Sequence, residues 1–229
     1  MRSARPAVES AAFIQSLRSE PSLNPALVPV NGAQGGVTAA IARDGEDGGQ
    51  GAGYWNYVDT RLAQARLSRN QVQVVWLKEA DAGPRGSDVV YARQLAAELE
   101  DIVGVLTARF PKLKLVYLSS RIYGGYASSP LNPEPYAYAS GFAVKWAIEP
   151  FIQSAAVGKQ NGPWVGWGPY FWADGTTPRG DGLTWFCSDF TPADGTHPSV
   201  IGAFKVAAQL ISFFEANPTA APWIQNATS

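Results

Sequence analysis

The chain has 229 residues, 46% of them hydrophobic, with eight Trp, nine Tyr and ten Phe. That is enough apolar material for one domain with a sizeable core, and too much for a disordered segment. Eighteen basic against nineteen acidic residues leave a formal net charge of −1, and no basic stripe recurs, which excludes nucleic acid as an expected partner.

In chain order, Pro6 to Arg18 reads as a first helix, broken by Pro21 to Pro25. Ala26 to Val30 reads as a short buried strand, and the Gly-rich turn Asn31 to Thr38 leads into a helical piece ending at Ala42. Arg43 to Gly53 is expected to be a polar loop, and Tyr54 to Leu67 a helix stopped by Ser68-Arg69-Asn70. Gln71 to Leu77 is the clearest strand, β-branched and apolar. Ser87 caps the next helix, in which Leu95, Leu99, Ile102, Leu106 and Phe110 recur at helical spacing until Pro111. Leu113 to Leu118 is a further strand, followed by Ser119-Ser120-Arg121 and a Pro-rich loop to Pro135. Tyr136 to Ala155 is a helix, Trp164 to Trp167 a last strand, and Gly168 to Thr191 a long aromatic loop. A helix from Val200 to about Ala216 carries Val200, Phe204, Ala207, Ile211 and Phe214 as its expected core stripe. Residues 1–229 form one expected domain, with 218–229 a loosely ordered tail.

Strand and helix alternate throughout, which predicts right-handed βαβ units and a parallel sheet in an α/β sandwich. In such folds the site forms where the carboxyl ends of the strands meet the following loops. Cys187 is the only cysteine, so there is no internal disulfide and no Cys-based metal site. No cofactor is implied. No apolar run reaches the roughly 18 residues of a membrane span. The first fifteen residues lack the basic start and apolar core of a signal peptide. Compartment and oligomeric state stay open, a secreted precursor included.

The only histidine, His197, lies in Asp194-Gly195-Thr196-His197-Pro198-Ser199. An Asp three residues before a His can fold over a tight turn and accept the Nδ1 proton. The Nε2 atom is then free to take a proton from a nucleophile. The same residues also suit a plain turn before a helix. The aromatic stretch Trp164 to Trp185, with four Trp, suits stacking on sugar rings or lining an acyl pocket, and equally a simple cover for the sheet.

At Asp194-Gly195-Thr196-His197-Pro198 the chain resembles the last block of the SGNH (GDSL-type) hydrolases, serine esterases on a flavodoxin-like sheet. The resemblance runs from Ala26 to Phe214 and implies a three-layer α/β/α sandwich. It makes His197 the general base and Asp194 its orienting partner. Asn31 to Thr38 is similar to the second block and implies that the Gly36 N–H is an oxyanion donor. The implied substrate is a small-molecule or carbohydrate ester with an acetyl or short acyl group.

Two blocks depart from the pattern. The third block's Gly-x-Asn is replaced by Lys78-Glu79-Ala80-Asp81, where Lys78 is either a substitute donor or half of a surface pair with Glu79. No strand precedes Ser3, the positional candidate for the nucleophile, although the family's first strand lies mid-sheet. The expectation is therefore a missing first strand and a weakly active chain, with Ser120 as a remote alternative nucleophile. A second reading, from a different class, is a glycan- or ligand-binding domain that keeps the fold without the nucleophile.

Overall fold

The computed structural model describes residues 8–45, 49–159 and 161–226. Its centre is a parallel sheet of three strands, β1 (Val74–Leu77), β2 (Leu115–Leu118) and β3 (Trp164–Trp167), in that spatial order. The register pairs Val74 with Leu115 and Leu115 with Trp164. The helices among the described residues are α1 (Val8–Leu17), α2 (Ala39–Arg43), α3 (Gly49–Gln64), α4 (Asp88–Arg109), α5 (Tyr136–Ala156), α6 (Val200–Ala216) and α7 (Ala221–Ile224). None is long and apolar enough to cross a membrane.

Two apolar cores lie against the sheet. One joins α2, α3, α4 and α5 through Trp55, Leu95, Ile102, Val144 and the strand residue Val116. The other joins α1, α6 and the aromatic loop through Leu17, Tyr117, Phe171, Trp185 and Leu210. Adjacent residues of β2 point to opposite cores, and all four of its residues are buried, as expected for a strand covered on both faces. The architecture is α/β, as the alternation of elements implied.

The α4 stripe is buried as its spacing demands, from Leu95 at 0% exposed to Phe110 at 3%. The Ser87 hydroxyl accepts the Val90 N–H at 3.3 Å and closes the helix start.

Four expectations are corrected. Ala26 to Val30 forms no strand: among the described residues it has no neighbouring strand to bond. The α3 helix starts at Gly49, inside the expected polar loop, because Trp55 anchors that region by donating Nε1–H to Ala42 O at 3.0 Å. The apolar stripe of α6 is corrected at its first two positions: Val200 and Phe204 are exposed, while Ala207, Ile211 and Phe214 are buried as expected, with Ala203, Val206 and Leu210 beside them. The tail is seated up to residue 226. Ala220 and Ile224 are buried, Asn24 N–H donates to Ile224 O at 2.7 Å, and Leu23 bridges Gln225.

Candidate active site

The turn Asp194 to His197 is built by one carboxylate. Oδ1 of Asp194 accepts the main-chain N–H of Thr196 at 2.8 Å and of His197 at 2.9 Å, plus the Thr191 hydroxyl at 2.8 Å. Oδ2 lies 2.6 Å from Nδ1 of His197. A Cβ at Gly195, where φ is +61°, would collide with the Tyr126 carbonyl, so only glycine closes this turn against its neighbour. Burial by itself would raise the Asp194 pKa. The hydrogen bonds from the His197 ring, the two main-chain N–H groups and Thr191 outweigh it and hold the carboxyl well below the ordinary range. Asp194 is therefore ionised across any neutral assay, and an ionised acceptor fixes the Nδ1–H tautomer. The His197 side chain is 59% exposed, and no described residue hydrogen-bonds Nε2.

Hydrogen bonds tie this turn to the carboxyl ends of the strands. The Ser128 N–H donates to Asp194 O at 2.9 Å, and the Thr196 hydroxyl to Leu131 O at 3.0 Å. The adjacent Asn132, buried and with φ +57°, donates Nδ2–H to Asp81 O at 2.7 Å. Asp81 Oδ1 in turn accepts the Ala40 N–H at 3.1 Å, next to the Ala39 N–H that donates to Ala80 O. One chain of bonds thus links the His197 turn, the segment after β1 and the start of α2.

Gly36 lies in the turn before α2, exposed, with φ +86°, and its N–H donates to no described residue. No hydrogen bond among the described residues links it to the Asp194–His197 pair. Lys78 corrects the surface-pair expectation for it. Its side chain is 4% exposed and pairs with Glu9 of α1 at 2.9 Å, so it forms no surface pair with Glu79. Burial first, and then the Arg121 charge, lower its pKa against the pull of Glu9 and Glu79. Ser3 lies outside the described residues. Ser120 is fully buried and its hydroxyl accepts the Phe171 N–H at 2.9 Å, a bond that holds the aromatic loop and does not reach His197. Ser119 is equally committed, accepting the Trp76 Nε1–H at 3.0 Å.

The aromatic stretch divides. Phe171 and Trp185 are core, while Trp164 and Trp167 are exposed at its edge. No family model matches the chain, and no curated protein or solved structure matches it.

Sequence reasoning passed over two groups and gave a third, Glu79, only as a surface partner of Lys78. Glu134 receives the Gly124 N–H at 2.8 Å and the Trp172 Nε1–H at 2.8 Å on one oxygen, and the Tyr138 N–H at 3.0 Å on the other. It fastens the loop that carries Ser128 and Asn132. Arg121, at the carboxyl end of β2, bonds no described residue through its guanidinium. Glu79 is the third: burial pushes its carboxyl up to about 7, opposed by Lys78 and Arg121 and assisted by Glu9 and Asp81. A local signal existed only for Glu79, an acidic residue directly after an apolar strand.

Glu79 sets a stability prediction. The folded protein holds this proton up to about pH 7, while an unfolded Glu releases it near 4.5. The native state binds more protons in that window, so stability falls as pH rises from about 4.5 to about 7 and is flat above. The full term is at most about 3 kcal/mol. Glu79→Gln is expected to flatten the decline by up to that amount in urea titrations across the window. Parallel curves for variant and wild type would mean that Glu79 ionises normally.

Proposed function

We propose that the protein is a serine-type carboxylic ester hydrolase on an SGNH-like, flavodoxin-type three-layer sandwich, acting on acetyl or short-acyl esters of small molecules or carbohydrates. The observation that supports this most is the Asp194–His197 pair, 2.6 Å apart, with the ionised carboxylate on Nδ1 and an exposed, unpartnered Nε2.

In this reading a serine Oγ attacks the ester carbonyl carbon while Nε2 takes its proton. The tetrahedral intermediate collapses, the acyl C–O bond breaks, and the imidazolium returns the proton to the leaving alkoxide. Water, deprotonated by Nε2, then attacks the acyl-enzyme. The carboxylic acid leaves and the serine recovers its proton. Asp194 stabilises the imidazolium in both halves, and the free N–H of Gly36 serves the oxyanion. Lys78, enclosed with Glu9, acts as a structural ion pair. Ser3 is the positional candidate for the nucleophile.

Labelling with a fluorophosphonate tests the reading. Mass spectrometry is expected to find one modified serine, and no label after His197→Ala. Unlabelled protein favours the second reading, a glycan- or ligand-binding domain. Two observations speak for that reading: no described hydroxyl bonds Nε2, and Tyr138 and Phe142 stand 40% and 43% exposed on α5. It predicts retention on insoluble polysaccharide that Tyr138→Ala abolishes.

Asp194→Asn separates a catalytic carboxylate from a turn residue. The amide oxygen still accepts the Thr196 and His197 N–H groups, so the turn survives, but the amide nitrogen opposite Nδ1 favours the wrong tautomer. The kcat is expected to drop roughly a hundredfold or more with KM nearly unchanged. Equal turnover in variant and wild type would reduce Asp194 to a turn former.

A further inference from the structure

Asp81 and Glu98 put two carboxyl groups on one donor. The Gln94 Nε2–H group donates to Glu98 Oε1 at 3.0 Å and to Asp81 Oδ2 at 3.3 Å. Glu98, on the inner face of α4, is 2% exposed, and its second oxygen, Oε2, is buried without a hydrogen-bond partner. Asp81 stands on the segment after β1 and is tied at two further points. Its Oδ1 accepts the Ala40 N–H at 3.1 Å, and its main-chain carbonyl accepts the Asn132 Nδ2–H at 2.7 Å.

Two ionised carboxylates on one amide repel each other, and an ionised Oε2 without a donor is left bare in the core. A single proton on Oε2, given to Asp81, removes both penalties. Glu98 has the matching tendency. Burial first, then the hydrogen bond and charge of Asp81, push its carboxyl up to about 7 against the pull of Gln94 and Arg43. The other groups around the pair leave it that proton. The Arg43 guanidinium of α2 lies 3.7 Å from Glu98 Oε1, and its other nitrogen pairs with Asp101. The Tyr91 hydroxyl of α4 accepts the Asp81 N–H at 3.1 Å, and its ring meets Tyr136 of α5 at 5.4 Å. Glu79, two residues before Asp81, adds like charge from the strand side, with Tyr54 of α3 beside it.

We infer that Asp81 and Glu98 share one proton, and that this proton is a pH-sensitive clamp on the start of α2 and on the Gly36 turn ahead of it. The clamp acts through Ala40, an exposed residue whose N–H has Asp81 Oδ1 as its acceptor. Gly36 lies two residues before Thr38, the cap of α2. When Glu98 loses its proton, the two carboxylates repel. Glu98 is enclosed in the core, so the half-buried Asp81 is the group that moves, and Ala40 loses its acceptor. The neighbouring bond from Ala39 N–H to Ala80 O loosens with it. Glu98 holds its proton up to about pH 7, so the clamp is intact below that pH and released as pH rises through it. Both residues are positioning groups. Their effect on rate rests on the ester-hydrolase reading, and the clamp itself does not.

Amide hydrogen exchange and carboxyl NMR test it. In wild type the Ala40 protection factor is expected to fall about tenfold or more between about pH 5.5 and 8.5, with the Glu98 carboxyl carbon titrating at the same midpoint. Glu98→Gln keeps a neutral donor toward Asp81. Asp81→Asn keeps an acceptor for Ala40 and gives Glu98 a donor. In either variant the Ala40 protection is expected to hold across the range, while Glu79→Gln is expected to leave the wild-type fall in place. The kcat for p-nitrophenyl acetate is expected to fall about tenfold on the alkaline side of the window with KM nearly unchanged, as the oxyanion donor shifts. That fall is expected to vanish in Glu98→Gln. A Glu98 carboxyl that titrates in the ordinary range, or wild-type Ala40 protection that ignores pH, would overturn the clamp. So would a fall that survives Glu98→Gln or disappears in Glu79→Gln. If Glu98→Gln fails to fold, Asp81→Asn and the wild-type titration decide the matter. Absence of any esterase activity would remove the ester-hydrolase reading and leave the exchange result to judge the clamp. An unchanged kcat while Ala40 loses protection would overturn the positioning role.

Discussion

His197→Ala is expected to lower any ester hydrolysis by roughly a thousandfold or more, the upper range for a general base that also returns the proton. No second imidazole exists in the chain to take over. The side chain is 59% exposed and its ring bonds only Asp194, so removing it leaves no buried group unpaired and no cavity. Stability is expected to stay within about 0.5 kcal/mol of wild type, as for most exposed substitutions. Loss of rate without loss of fold is the signature of a base. The measurement is p-nitrophenyl acetate hydrolysis alongside circular dichroism. A folded variant that retains more than about a tenth of the rate would remove His197 from the chemistry.

The legible parts of the molecule were those in which one chemical requirement governs one local pattern. The Leu95 to Phe110 stripe is periodic because a single face of α4 is buried, and Ser87 and Pro111 mark its ends. Asp194 and His197 are three residues apart, so a turn alone brings them together, and their 2.6 Å contact follows from local geometry. What stayed hidden depends on partners distant in sequence. Lys78 looks like a surface residue until α1 brings Glu9 against it across 69 positions. The α6 stripe holds at Ala207, Ile211 and Phe214 but not at its start, where apolar Val200, Ile201, Ala203 and Phe204 crowd the first turn and only docking against the rest of the fold selects Ala203 over Val200 and Phe204. The segment Ala26 to Val30 has the composition of a strand, but a strand exists only with a bonded neighbour. Ser120 sat at a plausible place on the sheet edge. Its role as an acceptor for Phe171 depends on how a loop fifty residues later folds back.

That loop supplies the second large effect. Trp185→Ala is expected to destabilise the protein by about 3–5 kcal/mol, the usual range for emptying a buried indole site. Trp185 is 0% exposed, its ring packs at 5.7 Å and a 58° tilt against Phe190, and the Lys205 ammonium lies 5.1 Å from the ring centroid. Its Nε1–H donates to Phe171 O at 2.8 Å, and its own carbonyl accepts the Tyr126 hydroxyl at 3.1 Å. The substitution therefore leaves a cavity and an unpaired buried carbonyl on Phe171. Trp185→Phe keeps most of the volume and loses only the indole N–H, so its cost is expected nearer 1–2 kcal/mol. The consequence reaches the candidate site because Tyr126 also presents its carbonyl to Gly195, inside the Asp194–His197 turn. A loosened Trp185 is thus expected to lower kcat even at temperatures where Trp185→Ala is still folded, while Trp185→Phe stays close to wild type. Urea titrations give the stability term and rates on p-nitrophenyl acetate give the coupling. A loss below about 1 kcal/mol for Trp185→Ala would mean that the loop is held by its edges and not by this indole. A normal kcat in a folded Trp185→Ala protein would show the His197 turn to be positioned independently of the aromatic core.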